Sequence, residues 1–230
     1  PKNSPKPCPV VICLQGHSSG MHISLGRPLS ERDKLSIEGG RDIAIQAVRR
    51  GYAAYVIEQR CFGERRDPEH NKHTDCSFSS MVSLLIGRTM AGERVWDVSR
   101  AIDLLDNFSE IDTDRIACMG NSQGGKISYY AACMDERIKV CVASCSVCSF
   151  TQSMGRVGGC YCAYIPRVVN YFDMPDLAAL IAPRALLVVS GVNDPLFGIE
   201  YVKKDVEIIK EIYDSAGAPD NFEHLIGNEG

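Results

Sequence analysis

One segment constrains this chain more than any other: Arg115-Ile-Ala-Cys-Met-Gly120-Asn-Ser122-Gln-Gly124-Gly125. An apolar run of strand length enters Gly-x-Ser-x-Gly and leaves into residues 123–134, whose pattern is helical. A strand that turns so sharply into a helix brings backbone against backbone. Glycines two positions to either side of the serine remove the side chains that would collide there. The serine is left at the apex of a strained turn, and the amide of Gln123 lies at a helix N-terminus, where unpaired N–H groups and the helix dipole favour a developing oxyanion. Ser122 is therefore the candidate nucleophile and Gln123 a candidate oxyanion donor. A chain built around this unit must be α/β.

The remaining pattern agrees. Strand-like apolar runs at residues 10–14, 53–58, 115–120, 138–144, 185–190 and 222–226 alternate with helix-like segments at 39–50, 93–108, 123–134, 176–181 and 201–215. In the second of these segments Val95, Val98, Ile102 and Leu105 recur at helical spacing while Arg94, Asp97, Arg100 and Asp103 point elsewhere. Strands without polar alternation predict a mostly parallel sheet with helices on both faces and right-handed crossovers. The irregular stretches 62–89 and 146–175 follow strands, where such sheets place substrate pockets. With 230 residues, 45% of them hydrophobic, residues 1–230 are expected to form one catalytic domain.

Two further segments complete a candidate site. The first strand ends in Gln15-Gly16-His17-Ser18-Ser19-Gly20, where His17 or Ser18 would offer the second oxyanion amide. His17 precedes the serine, whereas the base in this arrangement follows serine and acid. The run 185–190 ends in Gly191-Val-Asn193-Asp194-Pro195, which puts Asp194 where a carboxylate would orient a histidine; the same Asn-Asp-Pro chemistry also suits a simple turn. The loop after the last strand should carry that histidine, yet it reads Gly227-Asn-Glu-Gly230. The base is expected beyond Gly230, with His224 as the alternative inside the strand.

Other residues read as structural. Trp96 and Asp97 are expected to be packing and a surface or capping pair on their helix. His70, His73, Asp75 and Cys76 have irregular spacing in a polar loop and are read as solvated rather than metal-binding. Most of the eleven cysteines lie in apolar segments and are read as small buried side chains in a reducing compartment. Cys160-Tyr-Cys162 has one intervening residue, which is weak evidence for zinc or redox chemistry. No metal and no cofactor is expected. The net charge of −4 and the absence of a Lys/Arg cluster argue against a nucleic-acid partner, and no apolar run has the length of a membrane span. No signal-peptide pattern is visible, which sets a cytoplasmic location as the expectation, while the start at Pro1 without an initiator Met leaves open a leader or N-terminal segment ahead of it.

Together these motifs resemble the acetyl xylan esterase and dienelactone-hydrolase-like branch of the α/β-hydrolases across nearly the whole chain. The resemblance is carried by Gln15-Gly-His17, Glu58-Gln-Arg60-Cys-Phe-Gly63-Glu-Arg65, Gly87-Arg88-Thr-Met-Ala-Gly92-Glu-Arg94-Val-Trp96-Asp97, Gly120-Asn-Ser122-Gln-Gly124, Tyr171-Phe-Asp-Met-Pro175 and Ser190-Gly-Val-Asn-Asp194-Pro. It implies an α/β-hydrolase fold, Ser122 as nucleophile, Asp194 as acid and a closing Gly-His pair as the source of the base. Gly230 matches that glycine. Dienelactone hydrolases carry cysteine where this chain has Ser122, and members have strands before the one at residues 10–14. The activity implied is hydrolysis of a small-molecule or carbohydrate ester, acetyl esters foremost. A serine peptidase or thioesterase on the same fold, and a non-catalytic hydrolase-fold binding module, stay open at this level.

Overall fold

The structure is a computed structural model that describes residues 1–17, 20–67, 69 and 76–228. Six strands, β1 (Cys8–Leu14), β2 (Ala53–Val56), β3 (Ile111–Asn121), β4 (Ile138–Ser144), β5 (Ala185–Gly191) and β6 (Phe222–Gly227), form one sheet. Their order is β2-β1-β3-β4-β5-β6 and every neighbouring pair is parallel. The helices are α1 (Glu31–Ser36), α2 (Ile43–Arg49), α3 (Ser77–Leu85), α4 (Met90–Leu105), α5 (Gln123–Met134), α6 (Met154–Val157) and α7 (Ile199–Ser215). This is the α/β-hydrolase architecture expected from the sequence.

Register decides which side chains share a face. Ile12, Cys118, Cys141, Leu186 and Phe222 pair across five strands and so point the same way. They join Val98, Ile102 and Leu105 of α4, Ile127 of α5 and Tyr213 of α7 in the main core. Val11 and Cys13 point to the other face, where Ala44 and Ala47 of α2 cover them. Helix cover of that second face is uneven: towards β4 and β6, Val140 and Leu225 are 39% and 46% exposed.

Element ends depart from the sequence pattern where a side chain intervenes. Helix α4 begins three residues early because the Thr89 hydroxyl accepts the Gly92 N–H at 3.1 Å, an N-cap. Helix α2 begins late because Gly39 and Gly40 leave helical geometry, Gly40 at φ 78°. The stretch 62–89, read as irregular, holds α3, and 146–175 holds α6. Residues Pro175–Leu180 form 3₁₀ turns rather than an α-helix. Among the described residues no helix is long and apolar enough to cross a membrane.

The chain crosses from β1 to β2 on one side and then to β3 on the other. The carboxyl ends of β1 and β3 therefore diverge into a crevice, the place where parallel sheets bind ligands.

Candidate active site

Ser122 stands at that crevice, between the end of β3 and the start of α5. Its backbone has φ 54° and ψ −119°, a conformation that costs an ordinary residue about 1–3 kcal/mol and persists only where its surroundings enforce it. The enforcement is visible. The Ser122 N–H donates to the Ser144 carbonyl of β4 at 2.8 Å. A Cβ on Gly120 would lie 2.6 Å from the Leu14 carbonyl oxygen and overlap the Gly124 backbone. A Cβ on Gly124 would lie 2.6 Å from the Gln15 carbonyl oxygen. The two glycines thus allow α5 to press onto the end of β1. Gly16 completes the approach from the β1 side, since a Cβ there would meet the Asn121 carbonyl oxygen at 2.9 Å and Ser122 Cβ at 3.2 Å.

The other sequence-derived residues divide between this crevice and elsewhere. Gly16, His17, Asn121, Ser122, Cys145 and Asp194 line one cleft of about 570 Å³, its open mouth included. Gln123 lines the adjoining recess with His17, Ser122, Lys126, Met154 and Phe197. As the first residue of α5, Gln123 has an N–H with no partner inside the helix. Asp194 Oδ1 accepts the N–H groups of Leu196 at 2.8 Å and Phe197 at 3.0 Å, so the carboxylate also shapes its own turn. Ser18 lies outside the described residues. His224 is not among the residues lining the cleft or the recess. It shares the α7 face of the sheet with Phe222, its Nε2 is 3.1 Å from Ser190 Oγ, and burial together with Lys210 and Lys203 pushes its pKa down.

Lys126, one turn into α5, carries no signal in the sequence beyond its position four residues after Ser122. The fold buries it to 4% exposure in the recess beside Ser122, its Nζ 5.2 Å from the Phe197 ring centre. Burial pushes its pKa down to about 8. Folding therefore opposes its protonation: the cost is complete below about pH 8 and is relieved as pH rises towards the unfolded value of 10.5. Lys126→Met is expected to stabilise the fold at pH 7 by up to roughly 3 kcal/mol, with the gain shrinking above pH 8 and absent above about pH 10.5. Denaturant unfolding of both proteins at pH 7, 9 and 10.5 checks this; a pH-independent difference would contradict it.

Buried polar groups hold the surrounding loops. The carboxylate of Glu58, just past β2, accepts from Gln15 Nε2 at 2.7 Å and from the Met21 N–H at 3.0 Å, and burial raises its pKa. Gly63, at φ 46°, must be glycine because any Cβ would overlap that carboxylate. Asp97 is not a cap: it receives Arg60 in a bidentate pair at 2.9 and 2.8 Å and Arg65 at 2.7 Å. Trp96 is 54% exposed, with Arg100 over its ring. Asp205 of α7 accepts the Ser149 N–H at 2.6 Å, and Asp173 accepts the N–H groups of Phe150 at 2.6 Å and Met174 at 2.7 Å. These bonds pin the 146–175 stretch over the recess; burial pushes Asp205 up to about 6.

Three cysteines meet His17 beside the recess. Cys76 precedes α3, and Cys160 and Cys162 flank Tyr161 in the 146–175 stretch. His17 Nε2 lies 3.3 Å from Cys162 Sγ and 3.7 Å from Cys76 Sγ, and Cys76 Sγ is 2.8 Å from Cys160 Sγ. Hydrogen bonds from Cys160 and Cys76 hold the Cys162 thiol well below its ordinary pKa. His70, His73 and Asp75, considered with Cys76 in the sequence, lie outside the described residues. The grouping escaped sequence reasoning because His17 and Cys162 are 145 residues apart.

Known proteins are similar to this chain over most of its length. A sequence family described as the Abhydrolase family matches residues 1–227. The Bacillus subtilis protein named "Putative hydrolase YtaP" is 32% identical over 227 residues, covering 96% of this chain and 72% of its own. "Carbohydrate esterase MZ0003", from an unknown prokaryotic organism, is 28% identical over 114 residues, 42% of this chain and 26% of its own. A Bacteroides fragilis crystal structure, named a putative acetyl xylan esterase, superposes with a TM-score of 0.79 at 21% identity, covering 99% of this chain. This chain spans 61% of that structure's length. A glucuronoyl esterase from Solibacter usitatus superposes with a TM-score of 0.65 at 18% identity, over 98% of this chain and 70% of its own. With the strand order, the strained serine turn and a family match over residues 1–227, this chain belongs to the Abhydrolase family.

Proposed function

We propose that the protein is a serine carboxylic-ester hydrolase that works through an acyl-enzyme, with acetyl esters of carbohydrates as its substrates. The observation that carries this reading is Ser122 itself: a nucleophilic side chain held at φ 54° over a helix N-terminus, in one cleft with Asp194. Ser122 Oγ attacks the ester carbonyl carbon as the base takes its proton. The N–H of Gln123, and that of His17 or Ser18, hold the oxyanion. The carbon–oxygen bond to the alcohol breaks, and the alcohol leaves with the proton from the base. Water, deprotonated by the same base, then attacks the acyl carbon and frees Ser122 and the carboxylic acid. The acyl group would sit in the recess lined by Met154, Val157, Ala163 and Phe197, which favours short chains. The carbohydrate assignment draws on the names of MZ0003 and the Bacteroides fragilis structure.

The base in this reading is a histidine carried beyond Gly230. Supporting it, the end of β6 runs beside the acid: the Val192 N–H donates to the Gly227 carbonyl at 3.0 Å, two residues before Asp194. Asn193 Nδ2, next to Asp194, donates to the Asn228 carbonyl at 3.4 Å, whereas His224 lies on the α7 face against Ser190 Oγ. The test is an ester series from 4-nitrophenyl acetate to octanoate, acetylated xylan, a thioester and a peptide amide, run with the chain ending at Gly230 and with a longer form. Acetate should be turned over fastest, and only by the longer form. Full activity in the short form, lost on His224→Ala, would overturn the assignment of the base; preference for the peptide amide would overturn the substrate class.

A further inference from the structure

Four side chains that the proposed hydrolysis does not use gather in one buried place: His17, Cys76, Cys160 and Cys162, with every ligand-capable atom within 4.8 Å of the others. They arrive from the loop after β1, the residue before α3 and the 3₁₀ turn Tyr161–Ala163. Cys76 and Cys162 are fully buried. We propose that these four residues bind one zinc ion, as a closed structural site that fixes the loop carrying His17 beside Ser122.

The donor set is one that zinc prefers, three thiolates and one imidazole. Tetrahedral bonds of about 2.3 Å to sulfur and about 2.0 Å to nitrogen place sulfur and nitrogen ligands about 3.5 Å apart. The two observed nitrogen–sulfur separations, 3.3 and 3.7 Å, bracket that spacing. Cys76 and Cys160, at 2.8 Å, would open by about 1 Å to reach the tetrahedral sulfur–sulfur distance. Four protein ligands leave no open position, so the ion would be structural rather than a Lewis acid for the ester.

A second feature points the same way. Arg94 of α4 is only 1% exposed, and among the described residues no carboxylate pairs with it. Its Nε and Nη2 donate to the Arg60 carbonyl at 3.2 and 2.7 Å, and its Nη1 has no hydrogen-bond partner among the described residues. Its guanidinium lies over the Phe62 ring at 4.4 Å, and Phe62 in turn meets the His17 ring edge-on at 5.2 Å. A buried cation without an anion is costly. Zinc with three thiolates and a neutral imidazole carries one net negative charge, which supplies the missing counter-charge two rings away.

Zinc would also tie together loops separated by 59, 84 and 145 residues, which is where a crosslink restricts the unfolded chain most. The metal content does not depend on the esterase reading, so the two can fail separately. The experiment measures zinc by mass spectrometry in the full chain purified under reducing conditions, then titrates reduced apoprotein with cobalt(II). About one equivalent of zinc is expected, together with thiolate-to-cobalt bands of tetrahedral coordination saturating at one equivalent. Cys162→Ser should lower the zinc below about a tenth of an equivalent, whereas Cys148→Ser, a buried cysteine outside the group, should retain it. Wild-type protein that holds less than a tenth of an equivalent and shows no cobalt bands after full reduction would overturn the proposal. So would a count of nine rather than eleven thiols in unreduced, denatured protein, with Cys76 crosslinked to Cys160.

Discussion

Ser122→Ala is expected to reduce ester hydrolysis by on the order of 10⁵- to 10⁶-fold while leaving the melting temperature within a few degrees of wild type. The loss is large because, in the proposed mechanism, the serine oxygen is the atom that bonds to substrate. Neighbouring Cys145 also lines the cleft at positive φ, yet it sits at the end of β4 rather than over the amide of Gln123. Fold stability should survive because alanine bears the same φ 54° strain as serine, and the restraints on the turn come from backbone and glycines. The measurement is turnover of 4-nitrophenyl acetate by the longer form, with a fluorophosphonate probe and intact mass to locate the modified residue. Labelling at Ser122 in wild type and none in the variant is the expected pair. Retention of more than about one per cent of the activity in a clean preparation would remove Ser122 from the mechanism.

Asp194→Asn should lower kcat by about 10⁴-fold with KM and stability nearly unchanged. The structure makes this substitution informative. Asp194 has a structural task, accepting the N–H groups of Leu196 and Phe197 through Oδ1, and the amide oxygen of asparagine can accept the same two bonds. What asparagine cannot supply is the negative charge that selects the histidine tautomer and stabilises its protonated form. A residue that only shapes the turn would therefore show near-wild-type kcat in Asp194→Asn and lose stability in Asp194→Ala. A catalytic acid shows the reverse pattern for Asp194→Asn. A kcat within tenfold of wild type would reassign Asp194 to the turn.

The chain and its fold agree most closely where the physical cause is local. Residues 138–144 and 123–134 are delimited by sequence to the residue, because an apolar run broken only by Lys139 and a helical repeat are each local signals. Gly120 and Gly124 were assigned a steric reason from spacing alone, and the contacts a Cβ would make there bear it out. Boundaries slipped where capping intervened, at Thr89 and at Gly39-Gly40, and α3 was missed because its apolar residues lie largely on an exposed face: Phe78, Met81, Val82 and Leu85 are all exposed.

Local sequence thus determined the strand–turn–helix unit, the alternation that makes a parallel sheet, and the identity of the residue at the apex of the turn. Tertiary structure alone decided how the loops meet at the crevice. Lysine in a helix reads as a surface residue, and only the packing of the 146–175 stretch over α5 buries Lys126. Asp97 reads as exposed, and only the position of the loop after β2 brings Arg60 and Arg65 to it. His17, Cys76, Cys160 and Cys162 read as unrelated residues in separate segments. Their meeting depends on strand order, because β1 lies beside β3 in the sheet and the loops rising from that edge converge whatever their separation along the chain. A period of two or 3.6 residues is written in the sequence itself, whereas contacts between distant loops exist only after the sheet has chosen its order.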